Sequence, residues 1–185
     1  MTNFKVVRWI GMVVFVFVSF TVLAQPYRVL TANDFRGVPN SYNGEVVAYT
    51  NCSIDFRYVA HRQRNYYSLN FNIQLTMNSD KSWLDRRQVT SPAMLAEILK
   101  HEQGHYIIAY MEQQELLRAV TKTVFYADYQ SQASAIFNRI DAKYKQLNHD
   151  YDEDTQHMIN RPQQQSWDAY FKKRLETAPP ADEGR

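Results

Sequence analysis

His101 and His105 stand four residues apart inside a stretch with helical apolar spacing, and this pair constrains the fold more than any other feature of the chain. Four residues of α-helix turn the chain through about 400° and advance it roughly 6 Å, so both imidazoles leave one face, a turn apart. Ser91 offers an N-cap and Pro92 a first-turn residue, while Met94, Leu95, Ile98, Leu99, Ile108 and Ala109 supply the apolar positions. The spacing predicts a core-packed helix from Pro92 to at least Arg118. Beyond it, β-branched Val120, Thr121, Thr123 and Val124 weaken the helical preference, and a break or bend is expected.

Two imidazoles on one face can close on a single zinc ion, which accepts neutral histidine nitrogens and, in catalytic sites, keeps a fourth position for water. Glu102 lies about 100° round the helix from His101, near enough to reach such a water without binding the metal. The pattern His101-Glu102-Gln103-Gly104-His105 therefore points to peptide hydrolysis, with Glu102 as general base. Gly104 costs about 1 kcal/mol relative to Ala within a helix, which suggests that another backbone passes close to it.

Ahead of this helix the chain alternates. After an extended start at Tyr27-Arg28-Val29-Leu30 and a turn-rich loop over Asn33 to Asn40, the even positions from Val46 to Tyr58 read Val, Ala, Thr, Cys, Ile, Phe, Tyr. A second alternation places Tyr67, Leu69, Phe71, Ile73, Leu75 and Met77 on one side. The two runs predict an antiparallel hairpin whose apolar face packs on the motif helix. Lys81 to Thr90 is expected to cross from sheet to helix, with Trp83 as an anchor. Ala133, Ile136, Phe137, Ile140, Tyr144 and Leu147 form the stripe of a further helix, and a last helical segment falls around Gln163 to Leu175. The expected class is α+β: an antiparallel sheet with a hairpin against one long helix, plus C-terminal helices. A free strand edge beside the metal could align an extended peptide by strand addition.

The ends and the charge narrow the class further. Lys5 and Arg8 precede the apolar run Trp9 to Leu23, and Val22-Leu23-Ala24 supplies small residues, so residues 1–24 read as an export signal cut before Gln25. Such a signal implies the periplasm or the outside of the cell, with no stable membrane insertion after cleavage; the rival reading is a single membrane-spanning helix retained as an anchor, since the apolar run is near the lower limit for crossing a bilayer. The 21 basic residues include Lys5 and Arg8, so the remaining chain balances at 19 basic and 19 acidic, which favours neither nucleic acid nor an anionic surface. Residues 25–177 are expected to form one domain and residues 178–185 a solvated tail. Cys52 has no internal partner and reads as a buried thiol, and His61 as exposed in the hairpin turn.

A third ligand is needed. Glu112 shares a face with His105 but lies about 10.5 Å further along a straight helix; Glu115 fails likewise, and Asp128 could return only after a break. The richest donor stretch is His149-Asp150-Tyr151-Asp152-Glu153-Asp154-Thr155-Gln156-His157, read as a loop folding back over the metal. His157 is the preferred donor, with Asp152, Asp154 and His149 as alternatives. Tyr151 could donate to the oxyanion of a tetrahedral intermediate.

With these residues assembled, the chain resembles a family of bacterial secreted proteins of unknown function predicted to be zinc-dependent proteases. The resemblance rests on Asp34-Phe35-Arg36-Gly37, on Leu99-Lys100-His101-Glu102-Gln103-Gly104-His105-Tyr106, and on Tyr151-Asp152-Glu153-Asp154-Thr155-Gln156-His157 followed by Gln165 and Trp167. It implies a zincin-like fold, a periplasmic or secreted location and a ligand role for His157, with Met158 standing where glycine is frequent. The leading expectation is thus a zinc endopeptidase acting on a peptide or protein substrate. The alternatives are a non-catalytic zinc-stabilised binding module and an amidase acting on cell-wall peptides. A fourth protein donor would favour the module and an open position the enzyme.

Overall fold

Ser91 fixes the start of the longest element: its hydroxyl accepts the Met94 N–H at 3.1 Å, and Pro92 follows in the first turn. A computed structural model of the chain describes residues 27–40 and 46–177. The expected export signal, its cut before Gln25 and the tail over residues 178–185 lie outside the described residues. Helix α1 runs Pro92–Thr121 and stops within the β-branched run, where the Thr121 and Thr123 hydroxyls turn back onto the Leu117 and Ala119 carbonyls. Helices α2 (Tyr129–Thr155) and α3 (Arg161–Thr177) follow.

Ahead of the helices the strands are β1 (Ala48–Tyr49), β2 (Cys52–Arg62), β3 (Tyr67–Met77) and β4 (Trp83–Leu84). The described residues make an α+β arrangement of two small antiparallel sheets, β1 with β4 and β2 with β3. The expected single strand over residues 46–58 is two strands, because the chain leaves one sheet for the other at Thr50-Asn51; there Ser82 donates to the Asn78 carbonyl and accepts the Asn51 N–H at 2.8 Å. The segment expected to cross after Lys81 likewise contains β4, with Trp83 opposite Tyr49 and Leu84 buried.

The hairpin register places Ile54 opposite Leu75, Phe56 opposite Ile73 and Tyr58 opposite Phe71, so the apolar alternations of both strands share one face. That face covers α1 and α2 together: Ile73 joins Ile108, Met111 and Leu116 of α1 and Ile140 of α2 in one core, and Phe56 meets Phe137 at 5.2 Å between ring centroids. Full burial of a residue such as Ile140 contributes about 2 kcal/mol. A second core joins Leu30 and Phe35 to Leu75, Leu84, Ile98 and Tyr106. Gly37 docks the N-terminal segment on the turn after β3, donating to the Ser82 carbonyl at 2.8 Å; a Cβ there would stand 2.9 Å from the Asp80 and Ser82 carbonyl oxygens.

The segment His149 to Thr155, expected as a loop, is the last part of α2. Tyr151 and Thr155 continue the α2 stripe after Tyr144, all three buried, and the burial of that face outweighs the acidity of the residues between them. Among the described residues no helix is long and apolar enough to cross a membrane.

Candidate metal centre

Helix α1 carries His101 and His105 on its inner face with their Nε2 atoms 3.2 Å apart, and α2 brings Asp152 against them. Asp152 Oδ1 lies 3.3 Å from His101 Nε2, 3.1 Å from His105 Nε2 and 3.3 Å from His157 Nδ1. Zinc bonds of about 2.0–2.1 Å arranged as a tetrahedron set neighbouring donors about 3.3 Å apart, so these spacings suit one ion.

The Nδ1 atoms of the two α1 imidazoles face side-chain amide oxygens away from that centre. Gln164 of α3, itself buried, donates from Nε2 to Asp168 Oδ1 at 3.0 Å, which turns its carbonyl oxygen toward His101 Nδ1 at 3.2 Å. Asn148, one turn before Asp152 on α2, places Oδ1 2.8 Å from His105 Nδ1. In the neutral tautomer in which each Nδ1 donates to its amide oxygen, both Nε2 atoms present lone pairs to the Asp152 carboxylate. Asp152 Oδ1 is buried and accepts no well-aligned hydrogen bond despite its three nitrogen neighbours. Converging acceptors with no donor between them are the arrangement a cation would relieve. A proton can relieve it as well: burial pulls the His105 imidazole down, but the close Asp152 carboxylate and the Glu102 charge outweigh this and raise it to about 9. Burial pushes the Asp152 carboxyl up, and the close His101 and His105 imidazoles more than reverse it, holding the group well below the ordinary carboxylate range.

Glu102 is buried beside the two imidazoles, and Thr50, at the junction of β1 and β2, donates to its Oε2 at 2.6 Å. A cavity of about 580 Å³ opens over this group. The extended segment 46–54, residues of α1 and α2, and His157 and Met158 line it. Glu112 is among the lining residues of α1; burial, then the Asp141 charge, raises it to about 7, with Lys145 opposing. Cys52 is a free thiol in the cavity wall that burial and the Glu102 charge push up to about 12, so it stays protonated at neutral pH.

Of the four late donors considered from sequence, the fold brings Asp152 and His157 to the centre and turns two away. His149 is exposed and pairs with Glu153 at 3.2 Å, and Asp154 accepts from the Trp167 indole at 3.0 Å. The oxyanion role expected of Tyr151 does not fit its position. Its ring stacks on His101 at 4.8 Å between centroids, and its hydroxyl donates to the His101 carbonyl at 3.0 Å and accepts from Gln164 at 2.9 Å, fully buried away from the cavity. Gly104 is explained by the same ring rather than by a passing backbone: a Cβ there would lie 2.3 Å from the Tyr151 hydroxyl oxygen.

Thr50, Asn148 and Gln164 are the site residues that the sequence reading missed. The four-residue step from Asn148 to Asp152 could have shown Asn148 as a same-face neighbour, whereas nothing local marks Thr50 or Gln164. His61 is exposed within β2, away from the site. No curated protein and no solved structure matches the chain. Residues 26–158, which include every donor from His101 to His157, match the model of the family described as bacterial protein of unknown function, DUF922, and the chain belongs to that family.

Proposed function

We propose that the protein is a zinc-dependent peptidase, exported to the periplasm or beyond, with a zincin-like fold built around α1. The observation that carries this reading is Glu102: a buried carboxylate beside the paired imidazoles, oriented by Thr50 and lining a cavity large enough for a peptide segment. Bound at these donors, zinc would supply Lewis acidity toward a carbonyl oxygen and acidify a water molecule. Glu102 takes the proton from the attacking water as its oxygen bonds to the carbonyl carbon, then returns it to the amine nitrogen as the C–N bond breaks. The Thr50 hydroxyl fixes which carboxylate oxygen is free for that transfer. β2 pairs only with β3 among the described strands, and Cys52 to Ile54 at its start line the cavity, so an extended substrate can lie along its other edge.

One observation favours the second reading, a zinc-stabilised binding module: Asp152 stands as a further donor against all three imidazoles. The two readings separate on Glu102→Gln. The purified protein loaded with zinc is offered an unfolded protein and, separately, cell-wall peptides, and amine release is followed. The expected result is hydrolysis by the wild type and a loss of about 100-fold or more in Glu102→Gln at unchanged zinc content. Equal cleavage by the variant removes Glu102 from the mechanism, and no cleavage of either substrate class by the zinc-loaded wild type favours the module.

A further inference from the structure

We infer that Asp152 and His157 are donors to the same ion as His101 and His105, so that the folded chain fills all four tetrahedral positions, and that His157 is the donor displaced when an external ligand arrives. The inference rests on the metal-dependent reading above and makes the two readings successive states of one site, closed at rest and open when occupied.

The case for four donors is geometric. Asp152 Oδ1 stands 3.1–3.3 Å from a ring nitrogen of each histidine and the His101 and His105 Nε2 atoms are 3.2 Å apart, the separation that donors to one zinc ion adopt, and His157 falls in one metal-capable group with His101 and Asp152. It is buried without a well-aligned donor, and the Nδ1 atoms of His101 and His105 are taken by Gln164 and Asn148. While the rings are neutral, a carboxylate oxygen surrounded in this way has no donor to accept from. Its role is that of a ligand.

The case for His157 as the exchangeable donor comes from the chain that carries it. His101, His105 and Asp152 project from helix interiors and are 4%, 12% and 27% exposed, whereas the His157 side chain is 45% exposed. It follows the end of α2 in three successive left-handed residues, none of them glycine: Gln156 at φ 48°, His157 at φ 50° and Met158 at φ 81°. Each such residue is strained and persists only where its surroundings hold it. The Asn160 and Ile159 N–H groups, bonded to the Thr155 and Gln156 carbonyls at 2.9 and 3.2 Å, pin the ends of this turn. Ligation pins its middle. Releasing His157 relieves the backbone, frees one coordination position and moves Met158, which lines the cavity with it.

Zinc X-ray absorption on the purified wild-type protein tests both halves, with acetohydroxamic acid as the incoming ligand. Three imidazoles and one carboxylate oxygen are expected at rest, and two imidazoles once the hydroxamate binds. Two imidazoles at rest, or three retained with hydroxamate bound, overturns the inference. Chelator competition adds a second measurement: Asp152→Asn is expected to lower zinc affinity by more than about 100-fold and His157→Ala by only about 10-fold. Unchanged affinity in a folded Asp152→Asn protein overturns the fourth donor, and should that variant not fold, the wild-type spectra still decide. A wild-type protein that binds no zinc at all overturns the metal-dependent reading itself, an outcome distinct from failure of this inference alone.

Discussion

Gly104 has a reason that lies on another helix. Its missing side chain leaves the space filled by the Tyr151 ring, whose hydroxyl oxygen, Cζ and Cε1 would stand 2.3, 2.5 and 2.7 Å from a Cβ. Trp167 and Phe171 pack edge-on against the same ring at 5.3 and 5.4 Å between centroids, so it has no room to retreat. Gly104→Ala gains about 1 kcal/mol of helix propensity and loses more to overpacking, for a net destabilisation of about 2 kcal/mol in urea unfolding. Tyr151→Phe is not expected to rescue it, because Cζ remains in place; rescue by that change would mean that the hydroxyl alone causes the clash. Glu112 carries a different burden. Its folded value of about 7 exceeds the ordinary 4.5, so the folded state holds the proton more tightly than the unfolded one. The penalty for ionising it is absent below about pH 4.5, grows as pH rises, and is fully felt above about 7. Glu112→Gln is therefore expected to match the wild type near pH 4.5 and to exceed it at pH 8 by about 1–2 kcal/mol, allowing for partial exposure. Urea unfolding at the two pH values reads the difference, and equal stability at pH 8 would show that Glu112 is well solvated.

The elements differ in how far local pattern reveals them. α1 was legible because its cap, its first-turn proline and its apolar spacing agree, and the hairpin because both alternations carry one unbroken apolar face. The end of α2 was not. Asp150, Asp152, Glu153 and Asp154 make the stretch read as a solvated loop, yet Tyr144, Tyr151 and Thr155 keep helical spacing beneath that charge, and burial of those three decides the conformation. The cluster at the paired imidazoles follows from this: on a helix Asn148 and Asp152 share one face, whereas in a loop any of four residues could have reached those rings. Met158 was readable as a departure from the glycine expected there, and its φ of 81° shows why glycine suits the position. α3 contributes through Gln164, a contact that no local pattern announces because it depends on how the helices dock. Gln164→Leu is expected to lower zinc affinity by about 10–100-fold in chelator competition by freeing the His101 ring to change tautomer. The Phe171 and Trp167 packing keeps α3 seated, so far-ultraviolet dichroism should not change; unchanged affinity would make Gln164 a packing residue only.

At the scale of the molecule, the proposed ion ties α1, α2 and the turn before α3 at one point, while both apolar cores are assembled without any of the four donors. On that proposal folding and metal binding are coupled, but only in part. An ion at about 1,000 times its dissociation constant stabilises the state that binds it by about 4 kcal/mol. For a chain of this size each kcal/mol moves Tm by about 2–4 °C, so removing zinc with a chelator is expected to lower Tm by about 10 °C. Helical dichroism at 20 °C should remain, because the hairpin still covers α1 and α2. Amide exchange should rise first at the end of α2 and through Gln156 to Met158, where the left-handed turn loses the ligation that holds it. An unchanged Tm would mean that no ion links the three segments. Collapse of the helices at 20 °C would mean that the ion belongs to the fold itself, and a site so committed to structure would leave no donor free to give way to a substrate.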